Sequence, residues 1–178
     1  MRPCRFLLFF ISTVCTCFAA LFTPPCHGLE LYSGVPFYDA TGNKVALEDF
    51  TAASAPKPLV LFAWKDKCAM CRIMLPEVEK LQSLNPDIKV IPLMIDSPSL
   101  FAARKVYALT NTKHLPIYLD TDGDFAKAAG ILSTPLIIVY NKEGDAILRA
   151  KGFLNLSSSD FCAKLNSLAK ETLKGEQK

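Results

Sequence analysis

The segment Leu59-Val60-Leu61-Phe62-Ala63-Trp64 is apolar at every position and ends four residues before Cys68-Ala69-Met70-Cys71. A strand with one wet face alternates polar and apolar residues; a run without alternation suits burial on both faces, so other elements must cover both sides of its sheet. Beyond it, Met70, Ile73, Met74, Val78, Leu81 and Leu84 recur near helical spacing, with Pro76 as an internal kink. The cysteine pair therefore opens a helix directly after a buried strand.

The flanking sequence continues this pattern. Gly34 to Leu47 reads as two short strands around an Asp39-Ala40-Thr41-Gly42-Asn43 turn, and Thr51 to Pro58, rich in Ala, Ser and Pro, as a loop. Ile88 to Ile95 is a second buried strand, after which Ser97-Pro98 is expected to cap a helix running to about Leu109. Ile117 to Leu119 is extended, Asp122 or Gly123 opens a short helix that Gly130 closes, and Leu136–Tyr140 and Ala146–Gly152 form a hairpin around Asn141 to Asp145. Ser157 to Ser159 caps a last helix with Phe161, Leu165, Leu168 and Ala169 as its buried stripe. The expected fold is an α/β sandwich: a mixed central sheet flanked by helices, with an N-terminal β-hairpin.

Arg2 and Arg5 precede the apolar run Phe6–Phe22, which Pro24 and Pro25 break, so residues 1–28 read as a signal peptide or an N-terminal membrane anchor and residues 29–178 as one domain. Cleavage before Leu29 or after Ala20 and retention as an anchor are both open, and both put the body in the periplasm or another exported space. Removing the leader takes two of the 20 basic residues and none of the 17 acidic ones, and the resulting near-neutral body offers no electrostatic case for nucleic acid. Of seven cysteines, Cys4, Cys15, Cys17 and Cys26 lie in the leader. That leaves Cys68, Cys71 and the odd Cys162, too few for a multi-bridge scaffold and suited to a working dithiol.

A cysteine at a helix N-terminus faces unpaired backbone N–H groups and the positive end of the helix dipole, which favour its thiolate. Lys65 and Lys67 add positive charge there and Asp66 opposes them. Cys71, one turn on and pointing inward, is placed to attack a mixed disulfide on Cys68, which makes Cys68 the nucleophile and Cys71 the resolving thiol. CxxC also serves as half a zinc site, but no second CxxC exists and the only histidines are His27, in the leader, and His114. Copper held by the dithiol and His114 is a further alternative. A peroxidase is disfavoured because Lys65, not Thr, stands three positions before Cys68.

Phe62 to Arg72 with Pro76, together with Ser133-Thr134-Pro135, resembles the active-site segment and partner loop of the thioredoxin superfamily. Within it the chain is most similar to the exported TlpA/ResA/CcmG group of thiol–disulfide oxidoreductases, over about residues 34–170. The resemblance implies a thioredoxin-like fold in which Asp96–Leu119 is a central inserted segment. It also implies Pro135 as a cis-proline beside the dithiol and Thr134 as a contact for an extended substrate segment. It implies a reductase serving cytochrome c maturation, acting on cysteine-containing exported proteins such as apocytochrome c. A membrane thiol–disulfide partner would supply or take electrons; no cofactor is needed and a monomer is expected.

Three departures matter. Met74 occupies the position where that group commonly carries an acid, and Phe62 the position of the superfamily's buried acid. Glu77 and Glu79 read as solvated, leaving no evident proton acceptor for Cys71. Ala69-Met70 lacks the usual proline or glycine between the cysteines, so a disulfide-forming oxidant remains an alternative to the reductase. Trp64 is expected to pack and shield the site, Lys67, Ala69 and Met70 to shape it, and Cys162 to be an inert buried thiol rather than a second redox centre.

Overall fold

The computed structural model describes residues 34–53, 58–141 and 144–175. The expected leader, with four of the cysteines and His27, lies outside the described residues. The sheet grows from the apolar run, β3 (Leu59–Trp64), whose six residues are all buried. It pairs in parallel with β4 (Lys89–Met94) and antiparallel with β6 (Leu136–Tyr140). Outward from β4 lie β5 (Tyr118–Leu119) and the hairpin β1 (Phe37–Asp39) and β2 (Lys44–Val45); outward from β6 lies β7 (Ala146–Lys151). The order is β2-β1-β5-β4-β3-β6-β7, a mixed seven-stranded sheet. The segment Asp96–Leu119 supplies α3 (Leu100–Leu109) and β5, which separates β4 from the hairpin.

Alternation along β3 divides the core into two layers. Val60, Phe62 and Trp64 pack with α2 (Ala69–Leu84), α3 and α5 (Ser159–Gly175), where Leu165 is fully buried. Leu59, Leu61 and Ala63 pack with the hairpin, α1 (Leu47–Ala53) and α4 (Asp124–Ala128). Phe37 is the hub of that second layer, with ring centroids 5.6 Å from Tyr118, 5.3 Å from Phe125 and 6.1 Å from Phe50.

Two local expectations change, and a third holds. The stretch read as a loop from Thr51 begins inside α1, which starts at Leu47 because Asp49 reaches back to accept from the Ala46 N–H at 2.8 Å and Leu47 is fully buried. Ser99, not Ser97, caps α3: Asp96 and Ser97 are both left-handed (φ 63° and 59°), so helical geometry starts only after Pro98. For α5, the Ser158 hydroxyl accepts from the Phe161 N–H, within the expected cap; the stripe's Leu168 and Ala169 lie outside the described side chains.

Candidate active site

From Trp64 the chain leaves the sheet through Lys65-Asp66-Lys67 and turns, the Cys68 N–H donating to the Lys65 carbonyl at 3.3 Å. Cys68 is the N-cap of α2, with extended backbone (φ −95°, ψ 105°). Its Sγ accepts from the Cys71 N–H at 3.0 Å, so one of the helix's unpaired donors points at that sulfur. Arg72 donates from Nε and Nη2 to the Asp66 carbonyl at 3.0 and 2.7 Å, fastening the loop to the first helical turn.

The two sulfurs form a disulfide, with Cα atoms 5.2 Å apart. Their surroundings differ: Cys68 is 9% exposed and Cys71 is fully buried. Cys71 belongs to the apolar layer that also contains Phe62, Trp64, Met74 and Leu75. Met74 and Phe62 are fully buried, so the places where relatives carry acids are dry hydrocarbon. Among the described residues the buried polar side chains are Thr112 and Asp120. Asp120 serves α4 from the segment before it, accepting from the Phe125 and Ala126 N–H groups at 3.2 and 2.8 Å.

Trp64 stacks on Tyr107 of the inserted segment, centroids 5.7 Å apart. Burial, with the Glu79 charge added, pushes the Tyr107 hydroxyl well above its ordinary pKa, so it stays a donor and reaches the Pro116 carbonyl at 2.9 Å. Glu79 accepts from the Lys113 and His114 N–H groups, and Glu77 from the Ser157 hydroxyl. These two carboxylates are therefore not simply solvated, as the sequence suggested; they fasten surrounding loops to α2.

The Thr134–Pro135 bond is cis. Leu136 pairs with Ala63, which puts Pro135 at the end of the sheet from which Trp64 leads to the dithiol. The Pro135 carbonyl accepts from the Gly152 N–H at 3.1 Å, and the Thr134 hydroxyl is buried without a partner. Thr134 lines an open depression of about 430 Å³ with Lys65, Asp96, Ile131 and Leu132. Lys65 is committed to Asp96, Nζ to Oδ2 at 3.2 Å. Lys67 and Ala69 are exposed, and Met70 is 40% exposed beside Cys68. His114 is an exposed loop residue, and among the described residues no three His, Cys, Asp or Glu side chains gather as a metal site. The partly buried Cys162 Sγ accepts from Asn85 Nδ2 at 3.6 Å on the α5 side of the core.

Tyr107, Asp96 and the loop-fastening role of Arg72 were missed by sequence reasoning. Each depends on a pairing across the fold or across a turn with no local periodic signal.

A family model described as a thioredoxin-like domain matches residues 43–169. The chain belongs to the thioredoxin-like family. This thioredoxin-like protein is 25% identical over 114 residues to the thiol-disulfide oxidoreductase ResA of Bacillus thuringiensis subsp. konkukian and to that of Bacillus cereus, covering 64% of this chain and 64% of each relative. It thus spans somewhat under two thirds of the length of those curated relatives. The fold matches a Mycobacterium tuberculosis DsbF structure with a TM-score of 0.62 at 18% identity, covering 75% of this chain and 93% of that one. It also matches a secreted Mycobacterium tuberculosis disulfide oxidoreductase homologous to Escherichia coli DsbE with a TM-score of 0.59 at 17% identity, covering 78% and 96%. These similarities agree with the resemblance to the TlpA/ResA/CcmG group.

Proposed function

We propose that this thioredoxin-like protein is an exported thiol–disulfide oxidoreductase that reduces disulfides in cysteine-containing exported proteins through Cys68 and Cys71. The observation that carries the reading is the asymmetry of the pair: Cys68 retains 9% exposure at a helix N-terminus, and Cys71 is fully buried in the core. In the reduced protein, the Cys68 thiolate attacks a client disulfide, forming a mixed disulfide and releasing one client thiolate, which takes up a proton. Cys71 then loses its proton and attacks Cys68 Sγ, which closes the protein's disulfide and releases the second client thiol. Two electrons pass to the client, and a membrane dithiol partner returns them. The Thr134-Pro135 segment lines the route by which an extended client segment would reach Cys68.

Export is supported by the basic and apolar leader and by a secreted structural relative. The reductive direction and service to cytochrome c maturation rest on the group resemblance, with apocytochrome c as the client class. Cys71→Ser should accumulate mixed disulfides on Cys68 with client proteins, and the wild type should reduce insulin. Absence of both results removes the enzymatic reading. Equilibration with glutathione separates reductase from oxidant, since a strongly reducing potential is required of the former.

A further inference from the structure

Lys65 and Asp96 form an ion pair whose side chains are 39% and 64% exposed. A pair so wet adds little to folding, and its acidic partner sits in left-handed backbone. Asp96 and Ser97 are consecutive non-glycine residues with φ of 63° and 59°, a region that L side chains rarely adopt and that is found disproportionately at functional sites. The Ile95 N–H donates to the Trp64 carbonyl at 2.9 Å, so the end of β4 is stitched to the residue preceding Lys65. The Lys65 carbonyl in turn accepts from the Cys68 N–H at 3.3 Å. The pair forms a ridge between two depressions, one shared with Asp66 and Lys67, the other with Thr134.

Asp96 thereby brings a carboxylate from 31 positions along the chain onto Lys65, three residues before Cys68. Lys65, Asp66, Lys67, Arg72, Asp96 and Lys127 are the charges that line or adjoin these depressions, and the Arg72 guanidinium is turned onto the Asp66 carbonyl. Resting on the oxidoreductase reading above, we infer that Asp96 is a positioning residue that sets the redox poise of the dithiol by neutralising Lys65. With Asp96 present, the ammonium of Lys65 lends the Cys68 thiolate little net attraction. The dithiol form is then less stabilised relative to the disulfide, and the protein is a stronger reductant. Without Asp96, the unopposed positive charge favours the thiolate and moves the protein toward the oxidant end.

The test is the equilibrium of the full chain with glutathione, in which protein disulfide and two glutathione thiols give protein dithiol and glutathione disulfide. Asp96→Asn is the variant of choice because Asn tolerates left-handed backbone. It should raise the equilibrium constant for reducing the protein by about three- to tenfold at low salt, an effect that shrinks as salt is added. Lys65→Gln should lower it by a similar factor, and the double variant should return close to wild type. The pH midpoint of Cys68 thiolate absorbance should fall in Asp96→Asn and rise in Lys65→Gln. Loss of folding cannot yield opposite shifts that cancel in the double variant. An unchanged equilibrium in Asp96→Asn, or single variants shifting in the same direction, overturns the assignment of Asp96 while leaving the dithiol chemistry standing. A wild-type protein that does not equilibrate with glutathione overturns both.

Discussion

The two layers on either side of the sheet are built from the same three strands yet do different work. On one side, Phe37, Phe50, Tyr118 and Phe125 lock edge to face or stacked, and the layer is completed by Leu47 and the aliphatic residues of β3, β4 and β6. On the other, the layer ends in a disulfide whose Cys68 retains 9% exposure, a Trp64 indole Nε1 that is buried without a partner, and Met70 and Ile73 exposed on the first turns of α2. The first layer is closed, and its substitution should be felt as stability. The second reaches the surface at its reactive end, and its substitution there should be felt as chemistry.

The strongest way to break that division is Cys68→Ala. It should bring disulfide reduction to background while leaving the unfolding midpoint close to that of the reduced wild type, measured by insulin reduction and thermal denaturation. Next comes Phe125→Ala, which removes a fully buried ring touching Phe37 and should cost about 3–5 kcal/mol of stability by denaturant titration, with the folded fraction keeping its activity. Loss of activity per folded molecule without loss of stability would refute the separation of roles.

A smaller and sharper test is pH. Asp39 accepts from the Thr41 hydroxyl and from the Thr41 and Asn43 N–H groups in the hairpin turn, which hold its pKa down at about 2 against an ordinary 3.8. Its contribution is fully present above the unfolded value and fades as pH falls from near 4 toward 2. Asp120 goes the other way: burial, reinforced by Asp124 and Asp122, raises its pKa above 3.8 despite the Ala126 and Phe125 N–H groups. The folded state then holds this proton more tightly, so Asp120 lowers stability as pH rises from 3.8 through its folded pKa. Denaturation of Asp39→Asn and Asp120→Asn against wild type across acid pH should show slopes of opposite sign; parallel curves would show that neither carboxyl titrates as its contacts require.

Much of the architecture is legible in local pattern because burial writes itself into it. The unalternating β3, the helical spacing from Cys68, the turn at Gly42 and the Thr-Pro dipeptide each carry their signal within a few residues. What local pattern hides depends on distance or on competing compositional cues. Ala52, Ala53 and the Ser and Pro residues after them resemble a loop, and only the acidic first turn and buried Leu47 reveal the start of α1. Glu79 looks like any solvated helix acid until residues 113 and 114 are brought over it. Lys65 reads as free charge until the chain returns Asp96 to it, 31 positions later. The candidate site is thus readable for its sulfurs and obscure for the charges around them.

The sheet has two outer margins, β2 and β7, and unpaired strand margins are templates for joining a second chain. Here β2 is only two residues long and carries exposed Lys44. β7 is longer, but it is irregular against β6 at Val139/Tyr140 and carries exposed Arg149 and Lys151. Arg149 also reaches across to the Ala129 carbonyl at 2.8 Å, anchoring the margin to the end of α4. Brevity at one border, and positive charge with a broken register at the other, discourage edge-to-edge polymerisation in a molecule whose proposed chemistry would link it covalently, and only briefly, with other proteins.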